Sequence, residues 1–348
     1  MKCLVTGATG FTGGHLARWL ARAGHQVRAL VRPGSAVGDL DEAGIELFEG
    51  QLTNAGDVLA AASGCDQIYH VAAVFRTAGH PDSYYHDVNV GGTVNVLEAA
   101  RRLGCERVVH CSTAGVHSHI EGPPADENYR FQPGDIYQRS KLEGELASTA
   151  AIQRGQPVSI FRPCGIYGEG DLRFLKLFRS VAQRRFVMIG SGQCRLHMIH
   201  IDDLVDGIRL CGSRPEALGE VFILGGAEAP TLWEITETVA DIARIPPPRA
   251  KIPVWPVYAA GWLCEKLCVP LGIDPPLHRR RVSFFTHNRD FDIGKARRLL
   301  GFSPRVSVRE GIERTIRWYV SRGLMTGLAL LSRTESLAYE SLAYLPVA

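Results

Sequence analysis

The chain has 348 residues, of which 45% are hydrophobic and 22% are charged, and its net charge is +3. A chain of this length and composition is globular, with one large domain or two closely packed ones. The small net charge, carried by scattered basic residues, excludes the strongly basic class of nucleic-acid-binding proteins.

Nine cysteines are present, an odd number with no CxxC pair, so no disulfide framework is predicted. Cys264 and Cys268 lie four apart in an apolar stretch without His or Asp nearby, which favours buried thiols over metal ligands, and no metal is expected. Free thiols favour a reducing cytoplasm. The first predicted strand begins at residue 2, and no apolar run reaches about 18 residues, so neither a signal peptide nor a membrane span is expected.

Strands and helices alternate through the first half of the chain. Predicted strands are Cys3–Thr6, Gln26–Arg32, Ile45–Glu49, Gln67–Val71 and Arg107–Ser112, and predicted helices are Gly13–Arg22, Asp57–Ala62 and Val88–Leu103. Such alternation predicts an α/β fold, in which helices cover both faces of a doubly wound parallel sheet of the Rossmann type. We expect this dinucleotide-binding domain to span 1–165.

The pattern loosens after about residue 165, where Pro-rich pieces and longer helical patterns occur. The clearest predicted helices are Trp262–Cys268 and Ser307–Val320. We expect a smaller, mostly helical substrate domain over 166–194 and 226–324, while strands from about 195–225 return to the first sheet. The remaining residues, 325–348, contain ESLAY twice and are expected to form a loosely ordered tail.

A glycine-rich turn of the form GxxGxxG follows the first strand and opens the first helix. Glycines there allow a tight turn and the close approach of a pyrophosphate, while the helix N-terminus offers free N–H groups. The position, at the first turn of a βαβ series, favours a dinucleotide site over an ordinary tight turn. The residues of this predicted site are Gly7, Thr9, Gly10, Phe11, Thr12 and Gly13.

Arg32 stands where the second strand ends, about 20 residues after the glycines. NAD enzymes place an acid at this point to bind the ribose 2′-hydroxyl, whereas an arginine accommodates the 2′-phosphate of NADP. No acid occurs before Asp39. The sequence therefore favours NADP, with NAD as the alternative if Arg32 is solvated.

Tyr137 and Lys141 are four residues apart, after an Asp135 suited to cap a helix. This spacing places them on one helical face. A phenol has a pKa near 10, and a neighbouring ammonium lowers it, so the pair makes a plausible proton-transfer group. The ordinary alternative is a surface Tyr–Lys pair.

Ser112 and Thr113 lie at the end of the predicted strand that contains His110. Ligands of parallel sheets bind outside the carboxyl ends of the strands. A hydroxyl there is suited to hold a carbonyl or carbinol oxygen beside the tyrosine. The alternative is a Ser/Thr pair that caps a loop.

Together these residues resemble the short-chain dehydrogenase/reductase superfamily in its extended form, which includes the epimerase/dehydratase enzymes. The resemblance covers about residues 1–324 and rests on many motifs in the right order. They are TGATGFTG (Thr6–Gly13), YHVAA (Tyr69–Ala73), NVGGT (Asn89–Thr93), Ser112 with Thr113, Tyr137 with Lys141, RPCGIYG (Arg162–Gly168) and HIDD (His200–Asp203).

The resemblance implies roles for particular residues. Tyr137 is implied as general acid/base, Lys141 as the group that lowers its pKa and holds the nicotinamide ribose, and Thr113 as the family's Ser/Thr, with Ser112 helping. Further implied cofactor contacts come from Ala72, Ala73, Asn89, Pro163 and Ile166, and from Gln51 and Leu52. One departure is Gln51, an amide where the family usually has the acid that contacts adenine.

Two substrate classes compete. Nucleotide-sugar epimerases and dehydratases usually carry an acid after the second strand and an Asn at the position of Cys164, and this chain has neither. Other segments resemble flavonol reductases and 3β-hydroxysteroid or sterol dehydrogenases. We therefore expect a secondary alcohol and ketone on an apolar ring, and nucleotide-sugar chemistry is the alternative. A regulator that binds a dinucleotide without turnover is a third class, which has no need of Thr113, Tyr137 and Lys141.

Two segments bear on partners. An apolar substrate suits Val254–Leu271, although core packing is the commoner fate of such a stretch. The basic run His278–Arg281 suits a carboxylate, a diphosphate or a membrane surface, and a solvated helix face is its ordinary alternative. By resemblance, a homodimer is expected through Val88–Leu103 and the helix that carries Tyr137.

Overall fold

The computed structural model describes residues 1–38, 40–75, 80–268 and 279–326. The chain divides into two compact units. Unit 1 comprises Met1–Ile166, Met198–Ala227 and Phe291–Val306, and unit 2 comprises Tyr167–His197, Glu228–Asp290 and the described residues from Ser307 onward.

The strands are β1 (Lys2–Thr6), β2 (Gln26–Val31), β3 (Glu46–Glu49), β4 (Gln67–His70), β5 (Arg107–Cys111), β6 (Val158–Pro163), β7 (Gly165–Tyr167), β8 (Met188–Ile189), β9 (Met198–His200), β10 (Val221–Leu224) and β11 (Lys251–Ile252). The helices are α1 (Phe11–Arg22), α2 (Ala55–Ala62), α3 (Asp82–His86), α4 (Gly92–Leu103), α5 (Ile136–Gln153), α6 (Leu175–Ala182), α7 (Ile201–Ser213), α8 (Leu232–Ile242), α9 (Val254–Cys268), α10 (Arg279–Thr286), α11 (Gly294–Leu300) and α12 (Val308–Ser321). A π-helical turn (Asp87–Gly91) joins α3 to α4, and 3₁₀ turns cover Ala114–His117 and Pro215–Ala217.

Unit 1 is built on a seven-stranded parallel sheet with the order β10-β6-β5-β4-β1-β2-β3. Buried apolar residues of α1, α7 and α11 form one core cluster, and those of α2, α4 and α5 form another. The predicted doubly wound Rossmann fold is therefore confirmed. Strand order reverses between β1 and β4, and such a switch point is where folds of this type bind their ligands.

Local sequence explains the elements that lie beside this switch point. Every residue of β4 and β5 is buried, as expected for central parallel strands covered on both faces. Asp135 caps α5 as predicted, because its carboxylate accepts the N–H of Gln138 at 2.8 Å. Gly104, at φ 67°, ends α4 in the left-handed conformation that glycine adopts without strain.

Unit 2 consists mostly of helices, with a two-stranded sheet of β8 and β11. Stacked aromatic rings of Phe174 and Phe178, with Tyr319 against the latter, form part of its interior. The predicted helix at Trp262–Cys268 is longer than expected. It begins at Val254, inside the Pro-rich stretch 246–256.

Three sequence expectations differ from the structure or lie outside it. Residues 291–306 group with unit 1 rather than with the second domain, because Phe291, Ile293 and residues of α11 join the core of the sheet. Core packing does not hold for α9, whose apolar side chains are largely exposed. Residues 327–348 of the expected tail, residues 269–271 and His278 lie outside the described residues.

Candidate active site

The glycine turn lies between β1 and α1 and leaves no space for side chains. Gly7 has φ +78°, and a Cβ on it would lie 2.7 Å from the Cα of Ala72. A Cβ on Gly13 would overlap the carbonyl oxygen of Gly7. The carboxyl ends of β1 and β4 therefore approach each other backbone to backbone at the switch point.

The N-terminus of α1 is open to an anion. Gly10 is its N-cap and supplies no side chain to cap it, and the first turn contains no acid. Uncapped N–H groups and the helix dipole favour a phosphate. The glycine cradle and this uncapped helix end fit the pyrophosphate of a dinucleotide, with Thr9, Phe11 and Thr12 on the same turn.

The adenosine end of the expected site carries both signs of charge. Arg32 is exposed directly after β2. Val31 pairs with Glu49 at the end of β3, so an acid that sequence reasoning missed stands on the neighbouring strand. Gln51 is exposed, and its backbone N–H donates to Asp57 at 2.8 Å.

Leu52 and the loop after β4 lie beside this end of the sheet. Leu52 packs against the backbone of Gly92 at the start of α4, where a Cβ would come within 2.6 Å of it. Ala72 donates its N–H to the hydroxyl of Thr6 at 3.3 Å, and Ala73 is exposed. Pro163 ends β6 and lies opposite Leu224 of β10 in the register.

Ile166 lies in β7 at the end of the first segment of unit 1, and both it and Pro163 are buried. The structure thus places Pro163 at the carboxyl end of β6 and Ile166 three residues beyond it.

Helix α5 presents Tyr137, Lys141 and Glu145 at successive steps of four residues, which is one helical face. Lys141 is buried, and its Nζ donates to the carbonyl of Cys111, the last residue of β5, at 2.5 Å. Burial lowers the pKa of the Lys141 ammonium. Tyr137 is partly buried, and its ring packs edge-on against Phe75 at 4.9 Å between centroids.

Thr113 lies two residues beyond Cys111, so the Lys141 bond ties α5 to the strand end that carries Thr113. The Thr113 Oγ1 accepts the N–H of Gly115 at 3.1 Å and so caps the 3₁₀ turn. A hydroxyl that accepts in this way keeps its own proton for another acceptor.

Ser112 differs from the sequence expectation that it helps at the substrate. Its side chain is buried, and its hydroxyl donates to the carboxylate of Glu145 at 2.5 Å. Because its hydroxyl is committed to α5, Ser112 anchors the strand end that precedes Thr113.

Glu145 and Arg162 form a buried ion pair beneath this strand end. Their side chains are only 2% and 3% exposed, and the guanidinium donates to both carboxylate oxygens, with Nε at 3.0 Å from Oε2 and Nη2 at 2.5 Å from Oε1. A buried ion pair of this kind needs further hydrogen bonds to offset the desolvation of both charges.

The remaining guanidinium protons of Arg162 supply those bonds. Its Nη1 donates to the carbonyl of Glu127 at 2.8 Å and to the Nε2 of His117 at 3.0 Å, and the group lies over the ring of Phe131. Because arginine is only a donor, Nε2 must be unprotonated, and Nδ1 donates to the carbonyl of Arg130. Burial lowers the pKa of His117, in agreement with a neutral ring.

Asn89 lies in the π-helical turn and uses its side chain on protein groups. Its Oδ1 accepts the N–H of Val74 at 2.8 Å, and its Nδ2 donates to the Val74 carbonyl and to the Ser140 hydroxyl at 2.9 Å. It therefore joins the loop after β4 to α5 rather than extending its amide to a cofactor. Single π-helical turns within α-helices are frequent at functional sites.

A directional chain of hydrogen bonds runs under the same loop. The Thr6 hydroxyl, which accepts from Ala72, lies 2.8 Å from His70 Nδ1, and His70 Nε2 lies 3.0 Å from the Thr93 hydroxyl. Because Thr93 donates to the carbonyl of Asn89 at 2.7 Å, His70 must donate from Nε2 and accept at Nδ1. Burial lowers the pKa of His70 to about 3.

His110 is the neighbour of His70 on β5, with 5.3 Å between ring centroids. It is completely buried, and within the part of the chain that the structure describes neither ring nitrogen has a hydrogen-bond partner. Burial, together with the charge of Lys141, lowers the pKa of His110 well below its ordinary value.

The residues from 3 to 225 match the family model described as the NAD dependent epimerase/dehydratase family. The chain belongs to this family. The resemblance to extended short-chain dehydrogenases/reductases is thereby confirmed, and NAD-dependent oxidoreductase, epimerase or dehydratase chemistry is the activity of its class.

Named relatives match along most of the chain. A "putative dihydroflavonol 4-reductase" of Synechocystis is 30% identical over 330 residues, which cover 92% of this chain and 94% of the relative. A "3 beta-hydroxysteroid dehydrogenase/Delta 5-->4-isomerase" of Mycobacterium tuberculosis is 31% identical over 341 residues, which cover 92% and 90%. Both names fall in the two branches that the sequence analysis favoured.

The solved structure of DesIV, a dTDP-glucose 4,6-dehydratase of Streptomyces venezuelae with NAD and TYD bound, is also similar. Its TM-score is 0.74 at 27% identity, and the match covers 93% of this chain and 99% of that one.

Among the helices in the described residues, none is long and apolar enough to cross a membrane. The described residues contain no group of three metal-ligating side chains.

Proposed function

We propose that this protein interconverts a secondary alcohol and a ketone on a largely apolar ring substrate, with a nicotinamide dinucleotide as hydride carrier. The single observation that carries the proposal is the bond from buried Lys141 to the Cys111 carbonyl. It supports a site in which the α5 face bearing Tyr137 meets the strand end bearing Thr113.

Tyr137 is the proposed general acid/base. In the oxidative direction, the substrate hydroxyl gives its proton to the Tyr137 oxygen while the C–H bond electrons leave as hydride. A nicotinamide bound beside the substrate would accept that hydride in this direction and would supply it in the reductive direction. The positive charge of Lys141, one turn along α5, favours the phenolate form that takes the proton.

Thr113 is the proposed donor to the substrate oxygen. Its Oγ1 already accepts the Gly115 N–H, so the hydroxyl proton is available to the carbinol or carbonyl oxygen. Ser112 has no such freedom and is proposed as a positioning residue.

NADP is the proposed preferred cofactor, because Arg32 follows β2 and its guanidinium suits a phosphate dianion. Glu49, on the neighbouring strand end, is the group that opposes this preference. Fluorescence titration with NADP and NAD tests this preference. Arg32→Asp should invert the order of the two affinities, and Glu49→Gln should strengthen NADP binding. The control Arg154→Asp, at the C-terminal end of α5, should change neither affinity. Equal affinities in the unaltered protein would count against Arg32 as the phosphate partner.

The apolar ring substrate rests on the named steroid and flavonol relatives and on the absence of the acid and Asn typical of nucleotide-sugar enzymes. The likeness to DesIV favours nucleotide-sugar chemistry as the second candidate. Cofactor accounting separates the two. A dehydrogenase changes nicotinamide absorbance in proportion to product, whereas product from a UDP- or GDP-sugar without net absorbance change would replace the first candidate by the second.

Tyr137→Phe tests the chemistry, since it removes only a hydroxyl. We expect turnover to fall at least ~100-fold, with cofactor affinity nearly unchanged. Lys141→Met should damage both. The matched control is Tyr319→Phe, which likewise removes only a hydroxyl, one that has no hydrogen-bond partner among the described residues. Normal turnover of Tyr137→Phe would show that the tyrosine is structural.

A further inference from the structure

Helix α9 exposes its large apolar side chains to solvent. The exposed fractions are 73% for Trp255, 49% for Tyr258, 47% for Trp262, 53% for Leu263 and 60% for Leu267. A soluble protein scatters exposed apolar residues singly, so five of them on one 15-residue helix mark a binding surface.

The apolar character of α9 extends around the helix. Gly261 is the helix's one buried residue among those whose burial is described, and Glu265 and Lys266 are its only charged residues. Two tryptophans and a tyrosine combine an apolar ring with a polar edge, which is the chemistry favoured at a membrane–water interface. At about 22 Å, the helix is too short to cross a hydrocarbon core of about 30 Å, so it suits the surface of a bilayer.

Positive charge is concentrated around α9. Residues 244–286 contain seven Lys and Arg and two Asp and Glu, a net charge of +5 against +3 for the whole chain. Arg249 and Lys251 precede the helix and are exposed, as is Lys266 within it, and the sequence opens α10 with three arginines. Basic residues beside an exposed apolar helix are complementary to anionic lipid headgroups.

We propose that α9 docks unit 2 onto the surface of an anionic lipid bilayer. The apolar rings of Trp255, Tyr258 and Trp262 enter the headgroup boundary, while Arg249 and Lys266 contact the lipid phosphates. The docking is separate from the proposed activity, because it rests on α9 and the basic residues beside it, and its test measures binding rather than turnover.

The test is co-sedimentation of the full chain with phosphatidylcholine vesicles, with and without phosphatidylserine. We expect the phosphatidylserine vesicles to bind at least about tenfold more tightly at low salt, and the difference to shrink as salt screens the charges. Brominated lipids should quench the tryptophan fluorescence. The double variant Trp255→Ser with Trp262→Ser should bind at least about tenfold more weakly and lose the quenching.

Two further variants keep the test decisive. Leu172→Ser removes an equally exposed leucine (59%) outside α9 and should leave binding unchanged. The double variant Arg249→Gln with Lys266→Gln alters only charge, and it should abolish the preference for phosphatidylserine. It replaces the serine variant in the test if circular dichroism shows that the serine variant does not fold.

Three results would overturn the proposal. One is binding to neither kind of vesicle. Another is equal binding to both kinds at low salt, which would remove the role of charge. The third is a lipid-free dimer that the Trp255→Ser and Trp262→Ser changes dissociate, since a second copy of the chain would then cover α9.

Discussion

Glu145→Gln tests whether the buried ion pair holds unit 1 together at the proposed active site. The substitution keeps the size of the side chain but removes its charge. It also replaces one carboxylate oxygen by an NH₂ group, which cannot accept the hydrogen bonds that Ser112 and Arg162 donate. The guanidinium of Arg162 is then left 3% exposed without its carboxylate, and the Ser112 hydroxyl loses a charged acceptor.

The expected loss follows from this burial. Removing one member of a buried ion pair costs about 3–5 kcal/mol, because the remaining charge stays desolvated. For a unit of this size the loss lowers the melting temperature by about 10 °C. Turnover should fall as well, since Ser112 positions the strand end that carries Thr113. Cofactor affinity should persist, since the glycine turn contributes no residue to this ion pair.

Thermal denaturation of a double-mutant cycle measures the effect. Arg162→Met should destabilise as much as Glu145→Gln, and the double variant Glu145→Gln with Arg162→Met should lose at least ~2 kcal/mol less than the sum of these two single losses. Glu98→Gln is the matched control: it breaks the exposed Glu98–Arg101 pair at 2.8 Å and should leave the melting temperature nearly unchanged. Additive losses, or losses below ~1 kcal/mol, would refute the reasoning.

His110 has no hydrogen-bond partner in the described ranges, so replacing it by Phe should change stability at pH 7 by less than about 1 kcal/mol in thermal denaturation. A loss above ~2 kcal/mol would reveal a partner for its ring. Burial lowers the pKa of His70 to about 3, so as the pH falls below about 6.5 this histidine takes up a proton in the unfolded chain but not in the folded one. The free energy of unfolding should therefore fall between about pH 6.5 and 3, and His70→Asn should reduce that slope. Equal slopes for the variant and the unaltered protein would contradict this. Gly13→Ala should abolish nucleotide binding in fluorescence titration, while Gly122→Ala, where a Cβ meets no atom of the described residues within 4 Å, should bind normally. Thr113→Val should lower turnover at least ~100-fold and Thr113→Ser should restore most of it in a steady-state assay, so equal rates for the two variants would exclude a hydroxyl role.

The parts of the site that depend on local sequence could be predicted. The glycine spacing, the Asp135 cap and the four-residue step from Tyr137 to Lys141 each follow from a few neighbouring residues. The alternation of strands with helices was enough to predict the parallel sheet. The strands are nearly continuous apolar runs, which is what strands covered on both faces require.

The polar network beneath the site could not be predicted, because its members come from separate segments. Ser112, Glu145 and Arg162 meet only after β5, α5 and β6 pack together. The available signal was Glu145 itself, an acid on the same helical face as Lys141. Nothing local indicated that its partner would be an arginine from β6.

Helix α9 shows a different limit of sequence reasoning. An apolar stretch at helical spacing looks the same whether it packs in a core or faces outward. Only the structure distinguishes the two, since exposure depends on which other elements reach the helix. Residues 291–306 illustrate the same point, because α11 returns to β10 across a long sequence separation.

The placement of the cysteines makes selective thiol labelling of the chain possible. Seven of the nine thiols are buried, and the remaining two, Cys264 and Cys268, both lie on α9 with their sulfurs 3.9 Å apart. Burial raises the pKa of Cys3 and Cys111 to about 11, so these thiols remain protonated and unreactive. A maleimide fluorophore or spin label added to the unmodified chain would therefore attach to one helix, which makes α9 open to labelling without any mutation.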